Sequence, residues 1–292
     1  MNNMEKLHIV TVATHDDGYY HALMQSAKNN NLNLTTLGWG QKWTGFTMKY
    51  NLLKEHINNL QDNDIVVFVD AYDVLILDNE ESIKTKFRSF NKPIILSVDG
   101  KPHLFIINYF HSLLFKSCNN EKINSGLYMG YVWAIKILLN KICSNKIMSC
   151  DSPQADDQML LINVCNSNDF YDKYIAIDTN KLLFYNTFGN SNLDNLYQDF
   201  NFNETNIVVN NKLVLKNNNT TPSFIHGPGN TNLNTVCKLY NLPILNANKR
   251  DLAYRIKVYT KPEYLKIFAT ELVYYYQLLI IFFICIVYYY KK

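Results

Sequence analysis

The sequence predicts an α/β fold in which helices cover the faces of a sheet, followed by one helix long and apolar enough to span a membrane. Three observations carry this expectation. Over the first 245 residues, short apolar runs alternate with longer mixed segments, the pattern of strands interleaved with covering helices. One run, Ile65–Val69, is apolar throughout, as a strand buried on both faces must be. Near the end, residues 272–290 carry no formal charge.

In chain order, strands are expected at Leu7–Val12, Leu32–Leu37, Ile65–Val69, Ile94–Ser97 and Leu127–Tyr131. Helices are expected at Asp17–Lys28, Met48–Leu60 and Met159–Cys165, and Asn190–Asn206 reads as a polar loop. Met1–Lys6 shows no charged leader or cleavage site, so no secretory signal is expected. Residues 1–245 form the candidate soluble domain and 246–271 a basic linker. Lys249, Arg250, Arg255, Lys257 and Lys261 suit either a solvated helix or contact with anionic headgroups. The span 272–290 covers roughly 28 Å as a helix, close to a bilayer's hydrocarbon core. Tyr274–Tyr276 and Tyr288–Tyr290 supply an aromatic belt at each end. A single-pass C-terminal membrane anchor is therefore expected. Lysines on both sides leave its orientation open, and tail insertion would leave the domain cytosolic.

At 292 residues, with 48% apolar, 18% charged and 14% aromatic residues, the chain has ample material for a large core. That excludes disorder, collagen-like repeats and a small disulfide scaffold. A formal charge of +3 with no basic face gives no case for nucleic acid as a partner. The six Cys show no C-x-x-C pair, so reduced, mostly buried thiols are expected. Asn runs such as Asn217–Asn219 read as the codon bias of an AT-rich genome, such as that of a large DNA virus, with no mechanical meaning.

The most informative segment is Asp64-Ile-Val-Val-Phe-Val-Asp70-Ala-Tyr-Asp73. A buried strand ends there, and two carboxylates follow three residues apart. Ligands of open α/β sheets collect outside the carboxyl ends of strands, and a D-x-x-D turn offers the hard oxygens that a divalent metal on a diphosphate requires. A capped turn is the plain alternative. Asn124-Ser-Gly126 to Gly130 places small residues where backbone can approach a ligand, and equally describes a turn entering a strand. Asp156-Asp157-Gln158 sets acids before an apolar run, as many helix N-termini do. Ser223-Phe-Ile-His226-Gly227-Pro-Gly229-Asn230 puts a His before a Gly-rich turn able to present N–H groups to phosphate. A lone His there is more often structural than a ligand.

Together these motifs, strand-D-x-Y-D, N-S-G-x-x-x-G, D-D-Q and H-G-x-G in that order, resemble the glycosyltransferase domain of the procollagen lysyl hydroxylases and its viral relatives. The resemblance starts at Val12-Ala-Thr14, takes in Gly18-Tyr19, Leu37-Gly-Trp39-Gly40 and Trp43, and runs to about Leu242. It implies a GT-A fold, a Rossmann-related mixed sheet flanked by helices, using Mn²⁺ and a UDP-sugar donor, UDP-glucose or UDP-galactose. Iron and 2-oxoglutarate chemistry are not implied.

Carried over residue by residue, the resemblance makes Asp70, Asp73 and His226 the metal ligands. Tyr72 would lie near the uridine and Thr14 at the nucleotide end of the first strand, with Val74 and Asn124 also at the donor. Lys49 would face the diphosphate. Asp156 and Asp157 would lie on the acceptor and donor-sugar side, and Gly227 and Gly229 would let backbone close on the phosphates. Where the family pattern reads H-G-N-G-P-T-K, this chain has Asn232 in place of the Lys, and Ala155 stands where another Asp is expected. The expected function is membrane-anchored, metal-dependent transfer of glucose or galactose to a hydroxyl acceptor, either hydroxylysine or galactosyl-hydroxylysine of a collagen-like protein, or a glycan. The alternatives are a non-catalytic membrane-anchored scaffold that kept the fold, and a UDP-sugar hydrolase.

Overall fold

The computed structural model describes residues 5–100, 116–144, 150, 155–167, 169–187, 206–228 and 231–245. The chain divides into two compact units, Met1–Leu245 and Asn246–Lys292. The second unit, with the expected basic linker and the span at 272–290, lies outside the described residues, as does most of the expected loop Asn190–Asn206. Among the described residues no helix is long and apolar enough to cross a membrane.

The chain opens with β1 (Leu7–Val12), α1 (Tyr20–Asn29), β2 (Leu34–Leu37), α2 (Thr47–Ile57) and β3 (Ile65–Val69). β1 lies between β2 and β3, parallel to both, with Ile9 opposite Leu34 and Val67. The chain then enters a smaller sheet as β4 (Val74–Ile76), forms α3 (Glu80–Ser89), and returns to the main sheet as β5 (Ile94–Val98). β6 (Ile123–Tyr131) inserts antiparallel between β3 and β5. Helices α4 (Val132–Cys143), α5 (Asp157–Cys165) and α6 (Phe170–Tyr174) lead to β7 (Ile175–Asp178), which runs parallel to β5. Next come β8 (Phe184–Asn186), the hairpin β9 (Asn206–Val209) and β10 (Lys212–Leu215), β11 (Phe224–His226) and α7 (Asn234–Leu239). The main sheet has the order β2-β1-β3-β6-β5-β7 and the smaller one β4-β11-β8. This is the mixed sheet with flanking helices that the sequence led us to expect.

Side-chain alternation in β3 shows why its sequence is apolar at every position. Val66 and Phe68 join a cluster with Tyr50, Leu53 and Ile57 of α2 and with residues of α4 and α5. Ile65, Val67 and Val69 face the other way, into Leu23 of α1, Ile83 and Phe87 of α3, and Phe184 and Phe224 of the smaller sheet. A strand covered on both faces has no solvent side to make polar.

Several expectations change. Asn124–Gly130 is not a turn before a strand: the whole motif lies inside β6, which begins four residues earlier than expected. Gly130 serves backbone packing, since a Cβ there would come within 2.5 Å of Pro93 O. The Cys expectation also changes. Cys118 pairs with Cys165 and Cys143 with Cys150, with Cα separations of 5.8 and 4.7 Å, while Cys237 is free and buried. Folding brings the approach to β6 against the end of α5, a proximity that sequence spacing does not reveal. Asn usage, finally, has a conformational meaning. Of the nine described non-glycine residues with positive φ, eight are Asn, among them Asn31, Asn91 and Asn219, and Asn tolerates the left-handed region better than most residues.

The turn into β8 hangs on one buried carboxylate. Asp178 accepts from Leu182 N at 2.8 Å, Leu183 N at 2.7 Å and Phe184 N at 2.8 Å. Asp178→Ala would strand buried donors, at a cost of about 3 kcal/mol. Urea unfolding should show that loss, and an unchanged midpoint would remove this anchor from the account.

Candidate active site

β1, β3 and β5 share a direction and β6 opposes them, so three strand ends and one strand beginning meet on a single rim. Thr14 follows β1, Asp70 follows β3, Asp99 follows β5, and Asn124–Gly126 open β6. Asp70 N donates to Gly126 O at 2.9 Å. Between Asp70 and Asp73 the chain leaves the main sheet for β4. β11 returns antiparallel to β4 with His226 opposite Val74, and Gly227 N donates to Asp73 O at 2.8 Å.

These pairings bring together the three expected metal ligands. Asp70, Asp73 and His226 offer ligand atoms all within 4.8 Å of one another. His226 is 2% exposed, and its Nε2 is buried without a hydrogen-bond partner, 3.3 Å from Asp73 Oδ1. Gly126 leaves the necessary room, since a Cβ would sit 2.5 Å from His226 Cε1 and 2.8 Å from Asp70 Oδ2. Two carboxylates and one imidazole whose Nε2 is unsatisfied are a donor set that fits a divalent cation.

Charge balance comes from Lys49. Its Nζ donates to Asp70 Oδ1 and to Asp157 Oδ2, both at 2.8 Å. Burial opposes the ammonium charge, but Asp157 and Asp70 outweigh it and hold the pKa above the ordinary lysine range. Burial pushes the Asp70 carboxyl up, with Asp73 and Asp157 adding to the rise and Lys49 opposing it. Burial also works against His226's charge, yet Asp73 and Asp70 raise its pKa above the ordinary value. Lys49, expected to face a diphosphate, thus bridges Asp70 and Asp157, the acid on α5.

Asp157 is buried and also accepts from Ser125 Oγ at 3.0 Å, while Tyr50 OH donates to its backbone carbonyl at 2.7 Å. Asp156 is the N-cap of α5, with Oδ1 accepting from Met159 N at 2.9 Å, so the plain helix-terminus reading applies to it. Burial, and then the charge of Asp157, raise its pKa to about 6. Thr14 N donates to the Tyr72 hydroxyl at 3.2 Å, and that hydroxyl donates to His15 O at 3.0 Å. Tyr72 therefore closes over the end of β1.

Two expected contacts take other roles. Val74 is wholly buried in the apolar cluster under β3, so its side chain packs rather than lines the rim. Gly227 has its N–H committed to Asp73 O, and a Cβ there would lie 3.0–3.1 Å from Leu233 and Thr231. It is needed for close packing rather than for phosphate. Gly229 lies outside the described residues. Asn232, standing for the family Lys, accepts from Tyr19 OH at 3.2 Å and Asn234 N at 2.9 Å, and so braces the approach to α7.

Asp99 was missed, although it follows a strand as Asp70 does. It is buried, with Asn124 Nδ2 3.3 Å from Oδ1 and Gln158 Nε2 3.5 Å from Oδ2. The strand-then-Asp rule would have found it. A cavity of about 770 Å³ opens at the opposite end of the sheet beside Asn63, Pro93, Tyr131 and Trp133, away from the acidic rim.

The family model of the PLOD GT domain matches residues 3–242. The chain belongs to that family. This PLOD GT domain is similar to the procollagen-lysine,2-oxoglutarate 5-dioxygenase of Drosophila melanogaster, with 29% identity over 239 residues, covering 77% of the chain and 31% of that protein. It is also similar to the human multifunctional procollagen lysine hydroxylase and glycosyltransferase LH3, with 25% identity over 244 residues, covering 79% and 31%. The chain thus spans about a third of the length of the curated relatives it matches. A solved galactosyltransferase, LgtC, in complex with donor and acceptor sugar analogs aligns with a TM-score of 0.45 and 14% identity, covering 83% of this chain and 98% of that one.

Two outcomes are expected of this PLOD GT domain. Gly126→Ala should displace His226 or Asp70 and weaken divalent-cation binding about 100-fold or more, a loss of about 3 kcal/mol; a titration showing unchanged affinity would mean the rim has slack there. Because the folded pKa of Asp156 lies above its unfolded value of 3.8, stability should fall as pH rises from about 4 to 6, by about 1–2 kcal/mol. Asp156→Asn keeps a capping oxygen and should flatten that slope in melting temperature. The same slope in the variant would assign the effect to another group.

Proposed function

We propose that this glycosyltransferase-family domain transfers glucose or galactose from a UDP-sugar, with Mn²⁺ at Asp70, Asp73 and His226, to a hydroxyl acceptor. The observation that supports the reading is the junction of Asp70, Asp73 and His226 with Asp157 through Lys49. Relatives named for procollagen lysine hydroxylation and glycosylation support an acceptor of collagen-like type, hydroxylysine or its galactosyl derivative.

When bound, the cation supplies Lewis-acid charge to the pyrophosphate of departing UDP. Lys49 has three N–H donors and gives two to Asp70 and Asp157, so a third can bond phosphate oxygen as negative charge develops. Tyr72 and Thr14, tied together at the end of β1, border the base and ribose. Asp157, rigid through Lys49 and Ser125, orients a hydroxyl of the transferred hexose. Asp156, with its raised pKa, is placed to accept the acceptor's hydroxyl proton near neutral pH. The span at 272–290 anchors the domain to a membrane, and the two disulfides favour an oxidising compartment for it over the cytosol.

The test is UDP release by the full chain in detergent with Mn²⁺ and a panel of UDP-sugars, with and without a galactosyl-hydroxylysine peptide. Acceptor-dependent release from UDP-glucose or UDP-galactose is expected. No release under any condition favours a scaffold, and release without acceptor a hydrolase. Asp73→Ala should lower UDP affinity in Mn²⁺ by about 100-fold, near 3 kcal/mol, and an unchanged affinity would remove the metal assignment.

A further inference from the structure

Asn186 ends β8, one strand away from the acidic turn, and no motif drew attention to it. The parallel pairing of β8 with β11 places it beside His226, and the two residues are 3% and 2% exposed. Asn186 Nδ2 donates to Val98 O at 2.5 Å. A carbonyl oxygen only accepts, so the amide nitrogen must face Val98, and Asn186 Oδ1 must face the imidazole, 2.7 Å from His226 Nδ1. That oxygen also only accepts, so Nδ1 carries a proton. In the neutral ring the other nitrogen, Nε2, is then bare. It is the buried atom without a hydrogen-bond partner, 3.3 Å from Asp73 Oδ1.

In the neutral ring a bare nitrogen facing a carboxylate oxygen sets lone pair against lone pair, an arrangement relieved by a proton on Nε2 or by a metal cation in its place. The strand holding the ring is itself tied down, since His226 O accepts from Thr187 N at 2.8 Å and from Thr187 Oγ1 at 3.1 Å. We propose that Asn186, oriented by Val98, is the positioning residue that sets the tautomer and ring angle of His226 for a divalent cation. It acts through His226 and touches neither cation nor donor. Outer partners of this kind tune metal affinity by orienting the ligating imidazole. The inference rests on the metal site proposed above.

Two measurements on the full chain in detergent test it. In the first, Mn²⁺ is titrated and the free ion followed by electron paramagnetic resonance, with melting temperature recorded for each protein. Asn186→Leu, which keeps bulk and loses the acceptor, should bind Mn²⁺ about 10- to 100-fold more weakly than wild type. Asn186→Asp, which still accepts the Nδ1 proton but loses the donor to Val98 O, should recover part of that affinity. Wild-type affinity in folded Asn186→Leu, or equal weakening in both variants, would overturn the proposal. The second measurement needs no variant: a long-range ¹H–¹⁵N spectrum of ¹⁵N-histidine-labelled, metal-free chain at alkaline pH. The Nδ1–H form of His226 is expected there, and the Nε2–H form would overturn the assignment even if Asn186→Leu fails to fold. Should wild type bind no Mn²⁺, the metal site itself fails, and the spectrum still decides the tautomer separately.

Discussion

Asp70 and Asp73 are held on one side of a shared site by a change of sheet between them. β3 ends the first acid's strand, β4 begins after the second, and β11 lays His226 against the start of β4. Two acids and an imidazole within 4.8 Å, largely out of water, are an electrostatic burden that a folded chain tolerates only with compensation. Lys49 supplies it among the described residues, and by bonding both Asp70 and Asp157 it ties α2, β3 and α5 to a common charge balance. The small residues follow from the same crowding. Gly126 stands where a methyl group would collide with both His226 and Asp70.

Much of the frame was legible from pattern. β1 and β3 have the bounds that apolar runs gave them, and α1, α2 and α5 lie where expected to within three residues. The smaller sheet was not legible, because its strands are three residues long and a run that short has no period to read. α3 and α4 were overlooked for different reasons. α3 announces itself by its cap, with Asn79 accepting from Ser82 N and acids in the first turn, a signal that was present and unused. α4 is apolar on most of its surface, with Val132, Ala134, Ile135, Leu138, Leu139 and Ile142 buried, and such a run reads equally well as a strand.

The site divides along the same line. Asp70, Asp73, Asp156 and Asp157 stood out as carboxylates at the ends of apolar runs, whereas Asp99, placed after β5 in the same way, belonged to no motif. Of the neutral partners, Asn124 and Gln158 entered only as parts of motifs, without the contacts to Asp99 that the fold gives them, and Asn186 beside His226 carried no signal at all. Ser125 stood in the N-S-G motif without its bond to the Asp157 carboxylate being readable, and Tyr50, which holds the Asp157 backbone carbonyl, carried no signal. Residues that carry charge are visible in one dimension, and residues that aim it are visible in three. Asn232 shows the same dependence on context, since its side chain braces Tyr19 and Asn234.

The order in which the chain supplies its parts has a consequence for biosynthesis. β1, β2 and β3 are contiguous, pair in parallel and are complete by residue 69, whereas the imidazole arrives only at residue 226, with the strand that closes the smaller sheet. Domains mature from the amino end during translation, at roughly 5–20 residues per second. For about 8 to 30 seconds at that pace, a growing polypeptide displays paired acids without their nitrogen partner. Whatever the completed site binds can therefore stabilise the domain only after β11 has been made, and has no part in the earlier pairing of β1, β2 and β3.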